Sequence, residues 1–288
     1  MSIPQNTIAV IFDFDDTLTD DSTTALLQKH GIDTKKFWNE LVSERVKDEW
    51  DPTLAYLDLI LDHVGEGKPF GMLKNQDLVD FGSTLIFYEG IPQLFDSLRD
   101  DVSKHKLSHP SIEFFIISGG LESIITGTGI AQYFSGIWGC CFEEQDSHIQ
   151  KIKNVISFTE KTKYVFYINK GMHTKARSDQ YLVNEEVKKE QRRIPFENMI
   201  YIGDGFTDVP CFSLIQQYGG QAFGVFDPKR KKDSPKKAWE KLVVPKRVSS
   251  MNSPQYGPDQ DLGSLIRAAV KQICIRLDLN SQSAVPFR

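Results

Sequence analysis

Three clusters of polar residues stand out by type and spacing. They are Asp13-Phe14-Asp15-Asp16-Thr17, Ser118-Gly119-Gly120 and Gly203-Asp204-Gly205-Phe206-Thr207-Asp208. A carboxylate can attack a phosphoryl group and carry it as an aspartyl-phosphate, and Asp13 stands first in its cluster. Asp15, two residues on, has the chemistry to protonate a leaving oxygen and later to activate a water. Asp13, Asp15 and Asp204 would repel one another if brought together. A divalent cation relieves that repulsion and neutralises a phosphate. A carboxylate-rich set without His or Cys suits Mg²⁺, a hard cation that takes oxygen ligands and keeps waters. Ser118 and neighbouring backbone N–H groups, Gly119 among them, can hold phosphate oxygens. A lysine would add the remaining positive charge in the transition state.

Each cluster follows an apolar run of strand length: residues 8–12 (IAVIF), 112–117 (IEFFII) and 199–202 (MIYI). A fourth run covers 222–226 (AFGVF). None alternates apolar with polar, so both faces are predicted to be buried, as in the inner strands of a parallel sheet covered by helices. Helical spacing fills the gaps. Leu94, Phe95, Leu98 and Val102 follow Pro92, Leu121, Ile124 and Ile125 follow the second run, and Leu262, Ile266, Ala269, Val270, Ile273 and Leu277 form a C-terminal stripe. Strand, helix, strand predicts an α/β fold with a Rossmann-like, doubly wound parallel sheet. Ligands bind beyond the carboxyl ends of such strands, so three runs deliver their polar clusters to one edge.

Residues 21–87 read differently. A first helix ends near His30-Gly31, a second carries Phe37, Trp38, Leu41, Val42 and Val46, and a third starts at Asp51-Pro52 and carries Tyr56, Leu59, Ile60 and Val64. Leu78, Val79 and Leu85 suggest a fourth. The predicted organisation is an α/β core of residues 1–20 and 88–288, with a helical insert at 21–87 after the first strand. Segment 171–194 is polar and reads as a surface excursion with a short helix.

The three motifs resemble those of the haloacid dehalogenase (HAD) superfamily of phosphohydrolases: D-x-D-x-T at Asp13 to Thr17, the serine motif at Ser118, and G-D-x-x-x-D at Gly203 to Asp208. The resemblance covers the chain outside 21–87 and weakens beyond Phe226. It implies that Asp13 is the nucleophile and Asp15 the acid/base. It further implies that Mg²⁺ is bound by Asp13, the backbone carbonyl of Asp15 and Asp204, with Asp208 supporting the metal shell. The family's lysine usually opens a helix before the last motif strand. Thr159 reads as the cap of such a helix, which selects Lys161 for catalysis and substrate binding, with Lys163 and Lys170 as rivals. A carboxylate at Asp15 favours rapid hydrolysis, since dehalogenase members lack it and ATPase-pump members carry Thr there. Phosphatase therefore leads. A phosphotransferase to an acceptor other than water, and a catalytically weak HAD-fold binding or regulatory protein, are the alternatives.

The location of 21–87 resembles a C1-type cap, which in that family closes over the site and contacts the leaving group. The nearest resemblance is to the phosphoserine phosphatase branch, where a Glu shortly after the first motif pairs with the substrate amine. Ser22 stands at that place here, with Asp20 and Asp21 just before it. A neutral Ser cannot supply the same charge pairing. Either a neighbouring Asp substitutes or the substrate is not phosphoserine; the expected substrate is a small phosphomonoester, with phosphoserine disfavoured. Phe37, Trp38, Trp50 and Tyr56 could stack on a ring, but their helical spacing favours packing inside the insert.

Composition closes off other classes. The 288 residues carry 34 Lys and Arg against 39 Asp and Glu, a formal charge of −5, which disfavours generic nucleic-acid binding. No apolar stretch approaches the roughly 20 residues of a membrane helix, and Met1 onward lacks the basic and apolar regions of a signal peptide. Cys140, Cys141, Cys211 and Cys274 form no C-x-x-C pair, so a reduced, cytoplasmic protein is expected. The basic stretch 229–246 reads as a solvated face, or else as a patch for an anion. The histidines are scattered and read as surface or packing residues.

Overall fold

A computed structural model of the chain describes residues 4–175, 177–228, 236 and 239–283. Seven strands form one sheet: β1 (Thr7–Phe12), β2 (Ser111–Leu121), β3 (Phe134–Gln145), β4 (His148–Asn154), β5 (Met199–Gly203), β6 (Gln221–Val225) and β7 (Ser250–Asn252). Their order is β4-β3-β2-β1-β5-β6-β7, parallel throughout except that β4 runs antiparallel to β3. This is the expected Rossmann-like α/β sheet, with β1 central and paired to β2 (Phe12 opposite Ile116) and to β5 (Phe12 opposite Ile202).

All of β1 is buried, because both faces of the sheet are covered. Ile8, Val10 and Phe12 pack with α6 (Gln93–Ser103) and the C-terminal helix α10 (Asp261–Ser283). Ala9 and Ile11 face the other way, towards α8 (Glu160–Lys170) and α9 (Val209–Gln217). The predicted stripe Leu262, Ile266, Ala269, Val270, Ile273 and Leu277 is buried along α10. Burial of this continuous apolar surface, at roughly 25 cal/mol per Å², holds the two helical layers on the sheet.

Between β1 and α6 the chain is helical. It forms α1 (Ser22–Lys29), then α2 (Thr34–Lys36), which continues through a wide turn at Phe37–Val42 into α3 (Ser43–Lys47), then α4 (Pro52–Asp62) and α5 (Asn75–Gly82). Asp21, Asp33 and Asp51 cap α1, α2 and α4 by accepting from backbone N–H groups. Pro52 occupies the first turn of α4, where no N–H is needed. The segment leaves and re-enters the core at one place: single bridges join Asp15 to Thr19 and Thr19 to Phe87, and Thr19 Oγ1 donates to the Ile86 carbonyl at 2.6 Å.

Several local expectations are corrected. The run at 112–117 is the middle of an 11-residue strand, so Ser118-Gly119-Gly120 lies within β2 rather than after it. The pairing register with β3 breaks between Ile117 and Leu121, which frees that stretch to face the site. The β3–β4 hairpin was not legible as strands. Its sequence mixes glycines, cysteines and charges, and its turn residues Asp146 and Ser147 both take positive φ, at 50° and 67°. Segment 171–194 holds two 3₁₀ turns, Gln180–Asn184 and Lys189–Gln191, in place of one short helix. Of the basic stretch 229–246, residues 229–235, 237 and 238 lie outside the described residues. All four cysteines are free, and among the described residues no helix is long and apolar enough to cross a membrane.

Candidate active site

Asp13 follows β1 directly, and its N–H donates to the Ile202 carbonyl of β5 at 2.8 Å, which continues the sheet pairing by one residue. Its side chain is fixed from two sides. Oδ1 accepts from the Phe14 N–H at 2.8 Å and Oδ2 pairs with Lys161 Nζ at 2.8 Å. Burial, reinforced by the charge of Asp208, raises the Asp13 carboxyl to about 7 despite the opposing lysine.

Lys161 is the lysine that reaches the cluster. It is 1% exposed, in the first turn of α8, and its Nζ also lies 2.7 Å from Asp208 Oδ1. Burial alone would push this ammonium down, but Asp13 and Asp208 outweigh it and hold the pKa above the ordinary lysine value. The two rivals point elsewhere. Lys163 pairs with Glu160, and Lys170 donates to the carbonyls of Val183 and Glu185, each at 2.6 Å. The helix start that singled out Lys161 is in place, but Thr159 makes no side-chain cap bond. Its carbonyl instead accepts from Thr162 Oγ1 at 2.6 Å.

Asp208 uses both oxygens. Oδ1 accepts from Lys161 and from the Tyr201 hydroxyl at 2.9 Å, and Oδ2 from the Gly205 N–H at 3.3 Å. Tyr201 was read only as a strand residue. The signal available was a hydroxyl on a fully buried strand two residues before Gly203, since a buried hydroxyl needs a partner. Asp204 lies beside this group, and burial first, then Asp13, raises its carboxyl well above the usual range.

Asp15 turns away from the lysine. Its Oδ1 accepts from the Ser22 N–H at 2.7 Å. Burial, followed by the charge of Asp21, raises it well above the carboxylate range. Gly120 lets β2 pass close by: a Cβ there would fall less than 3.0 Å from Asp15 Oδ2. Ser118 is 1% exposed, and its Oγ accepts from the Gly120 N–H at 2.9 Å, which leaves its own O–H to donate.

Carboxylate oxygens of Asp13, Asp204 and Asp208 come within 4.8 Å of one another. Three hard oxygen donors crowded in a buried site, two of them with raised pKa values, fit a divalent cation. The three contacts already made by Asp208 suit it to hold Lys161 more than to give up an oxygen to a metal.

The cluster opens into a cleft of about 670 Å³. It is lined by Asp13, Asp15, Ser118 and Asp204 and, from the helical segment, by Asp21, Thr23, Trp38 and Tyr56. The four aromatics of that segment divide. Phe37 is fully buried in the core and Trp50 lies under Arg45, whereas Trp38 and Tyr56 face the cleft. The Tyr56 hydroxyl donates to the Gly119 carbonyl at 2.5 Å, so α4 is tied to the Ser118-Gly119-Gly120 stretch of β2. Ser22, at the place of the phosphoserine phosphatase Glu, is fully buried and does not line the cleft. Asp21 lines it, and Asp20 accepts from the Tyr88 hydroxyl at 2.9 Å.

Comparison with known proteins follows this geometry. A HAD family hydrolase from Salmonella enterica serovar Typhi superposes with a TM-score of 0.55 at 16% identity, over 86% of this chain and 67% of that one. A phosphoserine phosphatase solved as a phospho-aspartyl intermediate analogue gives 0.54 at 11% identity, over 91% of this chain and 99% of that one. A probable phosphoserine phosphatase from Vibrio cholerae gives 0.54 at 13%, over all of this chain and 69% of that one. The chain therefore has a HAD-superfamily fold of the phosphoserine phosphatase-like kind. No family model matches it. An uncharacterized protein of Borreliella burgdorferi is 34% identical over 237 residues, 75% of this chain and 80% of that protein, and the chain belongs to one family with it.

Proposed function

We propose that the protein is a Mg²⁺-dependent phosphatase that hydrolyses a small phosphomonoester through an aspartyl-phosphate on Asp13. The observation that carries this reading is the buried ammonium of Lys161 held between Asp13 and Asp208, directly behind the cleft that Asp13, Ser118 and Asp204 line. The likeness to HAD hydrolases and phosphoserine phosphatases agrees with it.

In this reading the phosphate sits against Asp13, its oxygens taking hydrogen bonds from Ser118 and the Gly119 N–H and charge from Lys161. A Mg²⁺ held by Asp13 and Asp204, with Asp208 behind them, would neutralise phosphate charge. Asp13 forms a bond to phosphorus as the ester P–O bond breaks. Asp15, kept protonated by its burial, gives its proton to the departing oxygen. Asp15 then takes a proton from a water whose oxygen attacks phosphorus, and the bond to Asp13 breaks to return the carboxylate and inorganic phosphate. The helical segment 21–87 acts as the cap: it walls the leaving-group side of the cleft and excludes water.

The test is phosphate release from a panel of phosphomonoesters with Mg²⁺, with EDTA and in Asp13→Asn, together with acid quenching to trap labelled phosphoenzyme. Mg²⁺-dependent release and trapped label, both lost in Asp13→Asn, are expected. Near-normal turnover in Asp13→Asn would overturn the covalent route.

A further inference from the structure

Besides its acidic residues the cleft is lined by aromatic side chains: Trp38 and Tyr56 from the helical segment, with Phe158, Phe206 and Phe226 from the rest of the chain. Two of these side chains are unusually open for their type: Phe158 is 38% and Phe206 51% exposed, both at the same cleft. Clustered exposed aromatic surface at a concave site marks a place where an apolar group binds. Trp38 is held in place rather than loose. Its Nε1–H donates to Thr24 Oγ1 at 2.8 Å, and its ring lies 5.7 Å from that of Tyr56 at an angle of 52°.

Asp21 also lines the cleft and is held as the cap of α1: its Oδ1 accepts from the Thr24 N–H and its Oδ2 from Thr24 Oγ1, both at 2.8 Å.

We infer that the substrate is a phosphomonoester whose leaving group is a flat aromatic or heteroaromatic ring system, bound among Trp38, Tyr56, Phe158 and Phe206. This rests on the phosphatase reading for the fate of the ester, but the ring's binding rests on the cleft alone.

Intrinsic reactivity must be matched, so the probes are primary alkyl phosphates: 2-naphthylmethyl phosphate, n-propyl phosphate and phosphoserine. For each, kcat/KM is measured on the wild type with Mg²⁺, and Kd by calorimetry on Asp13→Asn. The naphthylmethyl ester is expected to exceed the propyl ester and phosphoserine by about tenfold or more, the scale of a few buried methylenes. In Phe206→Ala the naphthylmethyl to propyl ratio is expected to fall several-fold. Equal or better use of the propyl ester or phosphoserine would overturn the inference. Preferential binding of the naphthylmethyl ester without release of phosphate from any probe would uphold the ring site and overturn hydrolysis. Absence of both turnover and preferential binding would overturn both.

Discussion

A methyl group at position 120 tests whether Asp15 is the acid. In Gly120→Ala the new Cβ would lie less than 3.0 Å from Asp15 Oδ2 and 3.2 Å from Ser118 Oγ. Ser118 Oγ must give by only a few tenths of an ångström, so Asp15 is the group that must retreat furthest. Ordinary contact requires it to retreat by about 1 Å, and its bond to the Ser22 N–H resists that retreat. Only the end of a side chain has to move, so the fold should lose ~1–3 kcal/mol, the usual cost of one extra core methyl. A misplacement of about 1 Å in a reacting group costs on the order of 10²-fold, or ~2.7 kcal/mol of activation free energy. The loss should depend on the leaving group. An aryl ester such as p-nitrophenyl phosphate departs without a proton, whereas an alkyl ester needs one. Because kcat/KM reports the steps up to the first irreversible one, it should fall about 10²-fold for alkyl phosphates and less than about tenfold for p-nitrophenyl phosphate. Equal losses for the two esters, in a variant shown to be folded by its thermal transition, would refute the assignment of Asp15 as the acid.

Other expectations follow from the same contacts. Lys161→Met leaves Asp13 and Asp208 buried without their shared cation. Urea denaturation should show a loss of about 3–5 kcal/mol, and kcat should fall ~10²–10³-fold; unchanged stability would mean that the pair is not held together by this charge. Asp278 accepts from Ser108 and from His105, and those bonds hold its carboxyl below the ordinary aspartate range. A carboxyl depressed in the folded state adds stability above its unfolded pKa, and that stability is lost as pH falls through the lower folded value. Thermal scans should therefore show wild type more stable than Asp278→Asn at pH 7, with the gap closing below about pH 4. A gap that widened in acid would contradict the sign.

Features written into short stretches of chain were legible in the sequence. The strands β1, β5 and β6 are continuous apolar runs because both faces are buried, and a run needs no knowledge of its partners to be recognised. The helix after Asp51 announces itself through its cap, α1 through its end at His30-Gly31, and α10 through its stripe. Asp13, Ser118 and Asp204 could be assembled because strands of one parallel sheet end at one edge.

Tertiary structure decided what depends on contacts between distant residues. Lys161, Lys163 and Lys170 share one helix, and only the packing of α8 against the sheet turned Lys161 into the cluster and the other two outward. The β3–β4 pair was hidden because its pairing partners, not its own polarity, make it a strand. The link from Tyr201 to Asp208 required a helix start folded back onto its own strand. The cleft wall was decided in the same way. Helical spacing puts Phe37, Trp38 and Tyr56 on apolar faces alike, but a face says nothing of what stands opposite, and only the closure of the helical segment over β2 left Trp38 and Tyr56 looking into the cleft while Phe37 went into the core.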